Sequence, residues 1–114
     1  MSLAKRIAAN RAEKELSSIE VEGWGENGEP ETLFFSEVSA RDMSKIQKKH
    51  VDFINNPTMD AMVEMIILKC QKPDGEKAFD VGDKFILMGE PLGVIAKVFG
   101  AIFETVSVEE HEKN

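Results

Sequence analysis

The sequence predicts a mixed α+β fold, mainly α-helical, with an N-terminal β-hairpin packed on a small bundle of about four helices. Three observations carry this expectation. Ile19 and Val21 alternate with Glu20 and Glu22, the period of a half-exposed strand, and a second apolar run, Leu33-Phe34-Phe35, follows a turn-rich loop. Beyond Ser39 the apolar spacing lengthens to three and four, the signature of helices that bury one face. Asn-, Gly- and Pro-containing clusters separate these segments and mark turns.

The bulk properties narrow the field of functions. A chain of 114 residues has room for one domain and a modest single core. A net charge of −7 argues against wrapping nucleic acid, because phosphate neutralisation needs a basic face. The lone cysteine, Cys70, offers no internal disulfide. No signal-peptide pattern opens the chain, and the longest strictly apolar run is four residues, too short to span a bilayer. No membrane partner and a cytoplasmic location are therefore expected.

Residues 1–16 read as an N-terminal helix or arm. They are rich in helix formers, but Leu3, Ile7 and a few alanines make only a thin apolar stripe. Lys5, Arg6, Arg11 and Lys14 make this arm basic on an acidic chain. It is either a solvated docking helix or an arm that orders against a partner. Residues 17–106 form the single folded domain. Its hairpin is too small to stand alone, so it packs on helices or pairs with another chain, the second case giving a homo-oligomer.

Ser39 is placed to cap the next helix, with Asp42 in its first turn and the apolar positions running through Met43, Ile46 and His50 toward Phe53. Asn55-Asn56-Pro57-Thr58 breaks it. The following helix is apolar nearly all round from Met62 to Leu68, as a central buried helix would be. After the Lys72-Pro73-Asp74-Gly75 turn, Asp80 caps a short helix through Met88, and Gly89 suits a left-handed terminus. Pro91 fits the first turn of a final helix whose stripe is Leu92, Ile95, Val98, Phe99, Ile102, Phe103 and Val106. Residues 107–114 read as a flexible acidic tail.

Catalytic chemistry is hard to find in this pattern. His50 and His111 have no second His or Cys at metal-ligand spacing, and Cys70 on an apolar helix reads as a small core residue. The acids from Asp74 to Asp83 lack the ligand order of a calcium loop, and no phosphate loop or dinucleotide fingerprint is present. No enzyme activity, metal or cofactor is expected. Two features suit protein binding instead. Trp24, between two glycines, either folds over the core or presents a rigid aromatic anchor. Met43, Met59, Met62, Met65 and Met88 are either adaptable core filler or a yielding surface for apolar partners.

The order of motifs resembles the tail assembly chaperones of long-tailed bacteriophages and their prophages. The resemblance rests on the Trp24-Gly25 turn with the strand at Leu33-Phe34-Phe35, and on the Ser39-Ala40-Arg41-Asp42 helix start. It continues through the apolar helix ending at Leu68-Lys69-Cys70, then Pro73-Asp74-Gly75, Phe79 and Asp83, and the final helix from Val94 to Phe103. It implies a chaperone that binds the tape measure protein, keeps it soluble and helps recruit tail tube subunits. Such a protein works in the cytoplasm of the bacterial host and is absent from the mature virion. The partner-binding residues expected on this reading are Trp24, Phe34, Met59, Met62 and Met65. The rival readings are a virion structural protein of the tail or head–tail connector, and a small host-side regulatory protein.

Overall fold

A computed structural model describes residues 2–112, with side chains through Glu104. Its order is helix α1 (Leu3–Glu13), strands β1 (Ser17–Val21) and β2 (Glu31–Phe35), then helices α2 (Ala40–Lys49), α3 (Met59–Lys69), α4 (Lys84–Met88) and α5 (Leu92–Glu112). The strands pair antiparallel, from Ser17 opposite Phe35 to Val21 opposite Glu31. This is the mixed, mainly helical architecture that the sequence predicts.

The hairpin loop explains its own composition. Gly25 donates its N–H to the Glu29 carbonyl at 2.8 Å. A Cβ on Gly25 would lie 2.5 Å from that same oxygen, so no other residue fits. Val21, Leu33 and Phe35 turn their side chains into the core, while Phe34, on the opposite side of the pleat, stays half-buried. Gln71 closes the outer edge of β2 through paired backbone bonds with Phe34, at 2.9 and 2.7 Å. The hairpin thus packs on the helices of its own chain, with β1 against α5.

α3 is the hub, in contact with α2, α4 and α5. Thr58 caps it by accepting from the Ala61 N–H at 3.1 Å. Ala61, Val63, Met65, Ile66 and Ile67 are all buried along it. α5 supplies Ile95, Val98, Phe99 and Ile102 to the same core. Phe53 sits edge-on to Phe99 and to Phe103, at centroid distances of 5.9 and 6.0 Å. Such pairs add to stability beyond the area they bury.

One buried charge joins three segments. Lys69, only 7% exposed, donates from Nζ to Asp42 Oδ2 at 2.7 Å, to Ser36 Oγ at 2.8 Å and to the Glu37 carbonyl at 3.1 Å. Asp42 is also half of a capping box, because the Ser39 N–H donates to its carboxylate and Ser39 Oγ accepts from the Asp42 N–H. Burial pushes the Asp42 carboxyl up, but the Lys69 and Ser39 hydrogen bonds and the Lys69 charge outweigh it and hold the group below its ordinary value.

Three local expectations need correction. α2 ends at Lys49 instead of running to Phe53, because His50 leaves helical geometry (φ −125, ψ 76). The turn that follows carries Phe53 into the aromatic group on α5. Gly89 is not left-handed: its φ is −85, and α4 closes with tight bonds from the Gly89 and Glu90 N–H groups to the Ile86 and Leu87 carbonyls. Leu92, expected on the apolar stripe of the final helix, is 64% exposed, because it opens α5 at the edge of the fold, while the side chain of Val106 lies outside the described residues. Lys113 and Asn114 of the expected tail lie outside the described residues.

Candidate functional site

The site is an exposed apolar face built on α4. A capping box starts the segment: Asp80 accepts from the Gly82 N–H at 3.0 Å, and the Asp80 N–H donates to Asp83 Oδ2 at 2.9 Å. The helix that follows has five residues, Lys84-Phe85-Ile86-Leu87-Met88. Successive side chains on a helix point about 100° apart, so four consecutive apolar residues face nearly every direction. A single turn at the edge of the fold can bury only one of them. Leu87 is that one, at 3% exposure.

The rest point outward. Phe85 is 88% exposed, and Val81, Ile86, Met88 and Leu92 are exposed with it. Among the residues with described side chains, five of the ten exposed large hydrophobics thus fall in the twelve residues from Val81 to Leu92. Scattered single apolar residues are ordinary on a surface, whereas a concentration of this kind is not.

Trp24 borders this face. Its ring stands edge-on to Phe79 at 5.8 Å, and its Nε1 donates to Glu90 Oε1 at 2.5 Å. Trp24, Leu33, Phe79, Ile86, Leu87 and Glu90 line a groove of about 320 Å³. The indole is therefore half-buried and held in place at both ends.

A polar cluster fastens α4 to the body. Lys84 Nζ bridges Asp60 at 2.5 Å and Glu64 at 2.9 Å on α3, and His50 Nε2 reaches the same Glu64 carboxylate at 3.0 Å. Hydrogen bonds to Asp60 and Glu64 raise the Lys84 ammonium above its ordinary value. Glu64 is pushed up by burial but held below its ordinary value by Lys84 and His50. His50, Asp60 and Glu64 bring their ligating atoms within 4.8 Å of one another, a grouping the sequence spacing did not suggest. The Lys84 ammonium bridges both carboxylates, and the Lys49 ammonium stands 3.7 Å from Glu64. Burial pushes the Cys70 thiol up to about 12 against the opposing charge of Lys69, which leaves it protonated and unreactive.

The sequence-predicted partner residues divide between surface and core. Trp24 lines the groove beside α4. Phe34 is half-buried on β2, and Met59 and Met62 are half-buried and packed against the core. Met65 is wholly buried and presents nothing to a partner, because α3 is enclosed by three other helices. Sequence reasoning counted Met88 among methionines suited to core or partner surface and set Leu92 on the stripe of the final helix, but it did not single out Val81, Phe85 or Ile86. The signal was there in an apolar string on a helix too short to hide it.

Comparison with known proteins gave no match to any family model, curated protein or solved structure. Among the described residues no helix is long and apolar enough to cross a membrane.

Proposed function

We propose that this chain is a protein-binding assembly factor that shields apolar surface on a client, acting as a phage tail assembly chaperone. The observation that carries this is the outward-facing set around Phe85, set beside the oriented Trp24 groove. The client is the tape measure protein, a long helical chain whose apolar stripe lies against Phe85, Ile86 and Leu92. Tail tube subunits displace the chaperone as the tail grows, so each contact is modest and the chain leaves before the virion is complete. The net charge of −7 keeps the loaded complex soluble by repulsion. The setting is the cytoplasm of a bacterial host.

Co-expression with a tape measure reading frame tests this. The wild-type chain keeps the client soluble and co-purifies with it; Phe85→Glu loses both effects, and Trp24→Ala weakens them. Equal soluble client with wild type, Phe85→Glu and no chaperone at all would remove the reading. Recovery of the chain as a stoichiometric part of purified particles would favour a virion structural role instead.

A further inference from the structure

The Val81–Leu92 face has a counterpart in the same chain. α1 buries none of its residues, and Leu3 and Ile7 stand 65% and 53% exposed, four residues apart on one side of the helix. An eleven-residue helix draws little stability from propensity alone, so this stripe gains from a cover. The charges of the two surfaces are opposite. Residues 2–16 carry Lys5, Arg6, Arg11 and Lys14 against Glu13 and Glu15. The α4 segment carries Asp80, Asp83 and Glu90, while its one cation, Lys84, is engaged by Asp60 and Glu64.

Within one molecule the two surfaces belong to opposite ends of the hairpin. α1 joins β1 at Ser17, which faces Phe35 at the open end. Trp24, hydrogen-bonded to Glu90, follows Val21 at the turn end. Arg11 and Lys14 both pair with Glu37, just past the end of β2, and this holds the base of α1 at the open end.

We propose that α1 of one copy docks on the Val81–Leu92 face of a second copy, with Leu3 and Ile7 against Phe85 and Ile86 and with Lys5 and Arg6 beside the acidic rim. The proposal rests on the docking role of the α4 face and adds its regulation, since the arm and the client compete for one surface. Donor and acceptor surfaces differ, so a docked pair keeps one free arm and one free face, and assembly is open-ended or closes into a ring. A contact of one short helix is small, which makes the association weak, and its ionic part makes it salt-sensitive.

Sedimentation velocity on the full chain over a range of concentrations tests this with two variants, Ile7→Glu and Phe85→Glu. Wild type shifts to larger species as concentration rises, and added salt reverses the shift. Each variant alone stays monomeric, its dissociation constant raised at least about tenfold. Mixed, they form a 1:1 complex that grows no further, because one retains the face and the other retains the arm. Both positions are exposed, so circular dichroism of each variant matches wild type. A wild-type chain that remains monomeric throughout, a mixture that does not pair, or variants that assemble like wild type would each overturn the proposal. If Phe85→Glu abolishes client capture while wild type stays monomeric, self-docking fails and the client reading stands. If wild type self-associates through the two surfaces but captures no client, self-docking holds and the client reading fails.

Discussion

α3 and α4 pack against each other and carry almost the same kind of apolar string, Met65-Ile66-Ile67-Leu68 in one and Phe85-Ile86-Leu87-Met88 in the other. In α3 the first three are buried and Leu68 is half-buried, whereas in α4 only Leu87 is buried. Composition does not separate them. α3 has eleven residues and neighbours on several sides, so every direction in which its side chains point meets protein. α4 is a single turn at the edge, and solvent meets most of its directions. The same hydrophobic string is structural in the first setting and mostly exposed in the second.

Substitutions that separate burial from exposure test that contrast. The largest effect falls on α3: Met65→Ala costs about 2–5 kcal/mol, read from chemical denaturation, because its cavity sits in a fully packed core. Lys69→Met costs about 3 kcal/mol, since it strands Asp42, Ser36 Oγ and the Glu37 carbonyl without their shared donor. On α4, Phe85→Ser changes stability by no more than about 0.5 kcal/mol, because an exposed ring loses nothing on removal. A Phe85→Ser cost comparable to that of Met65→Ala would show that α4 is part of the core and would end the comparison.

The acid limb of stability sharpens the same contrast. Asp42 and Glu64 have folded-state carboxyls held below their ordinary values. A depressed carboxyl contributes stability that is present above the unfolded value and lost as pH falls through the folded one. The unfolding free energy therefore drops below about pH 4. Asp42→Asn lowers stability at neutral pH and flattens that drop, measured by urea unfolding at a series of pH values. An unchanged acid limb in Asp42→Asn would show that the Lys69 pair contributes nothing net. A smaller effect concerns Cys70: iodoacetamide labels it only as fast as the chain opens, since the folded thiol is buried and protonated. Rapid labelling of the native protein would place the thiol outside the core.

Much of this architecture was legible in the residues, and the failures have physical causes. The hairpin, the Ser39–Asp42 cap, the break before α3 and the buried Ile95, Val98, Phe99 and Ile102 of α5 all follow from signals within a few residues of one another. Lys69 was illegible because its partners come from 27 to 33 positions away, and nothing beside it announces a buried cation. The end of α2 was misplaced because Phe53 obeys a tertiary demand, its contact with Phe99 and Phe103, over the local helical spacing. The exposed face on α4 was half-legible. The Phe85-Ile86-Leu87-Met88 string was visible, but only the length of α4 reveals that most of it has nowhere to hide.

Titration of the isotope-labelled chain with a soluble tape measure fragment, followed by backbone amide NMR shifts, tests the α4 docking face most directly. The account predicts shifts concentrated from Val81 to Leu92 and at the Trp24 indole N–H, with α3 amides around Met65 little moved. Shifts confined to other surfaces, or a saturating client that leaves Phe85 and Ile86 untouched, would contradict it.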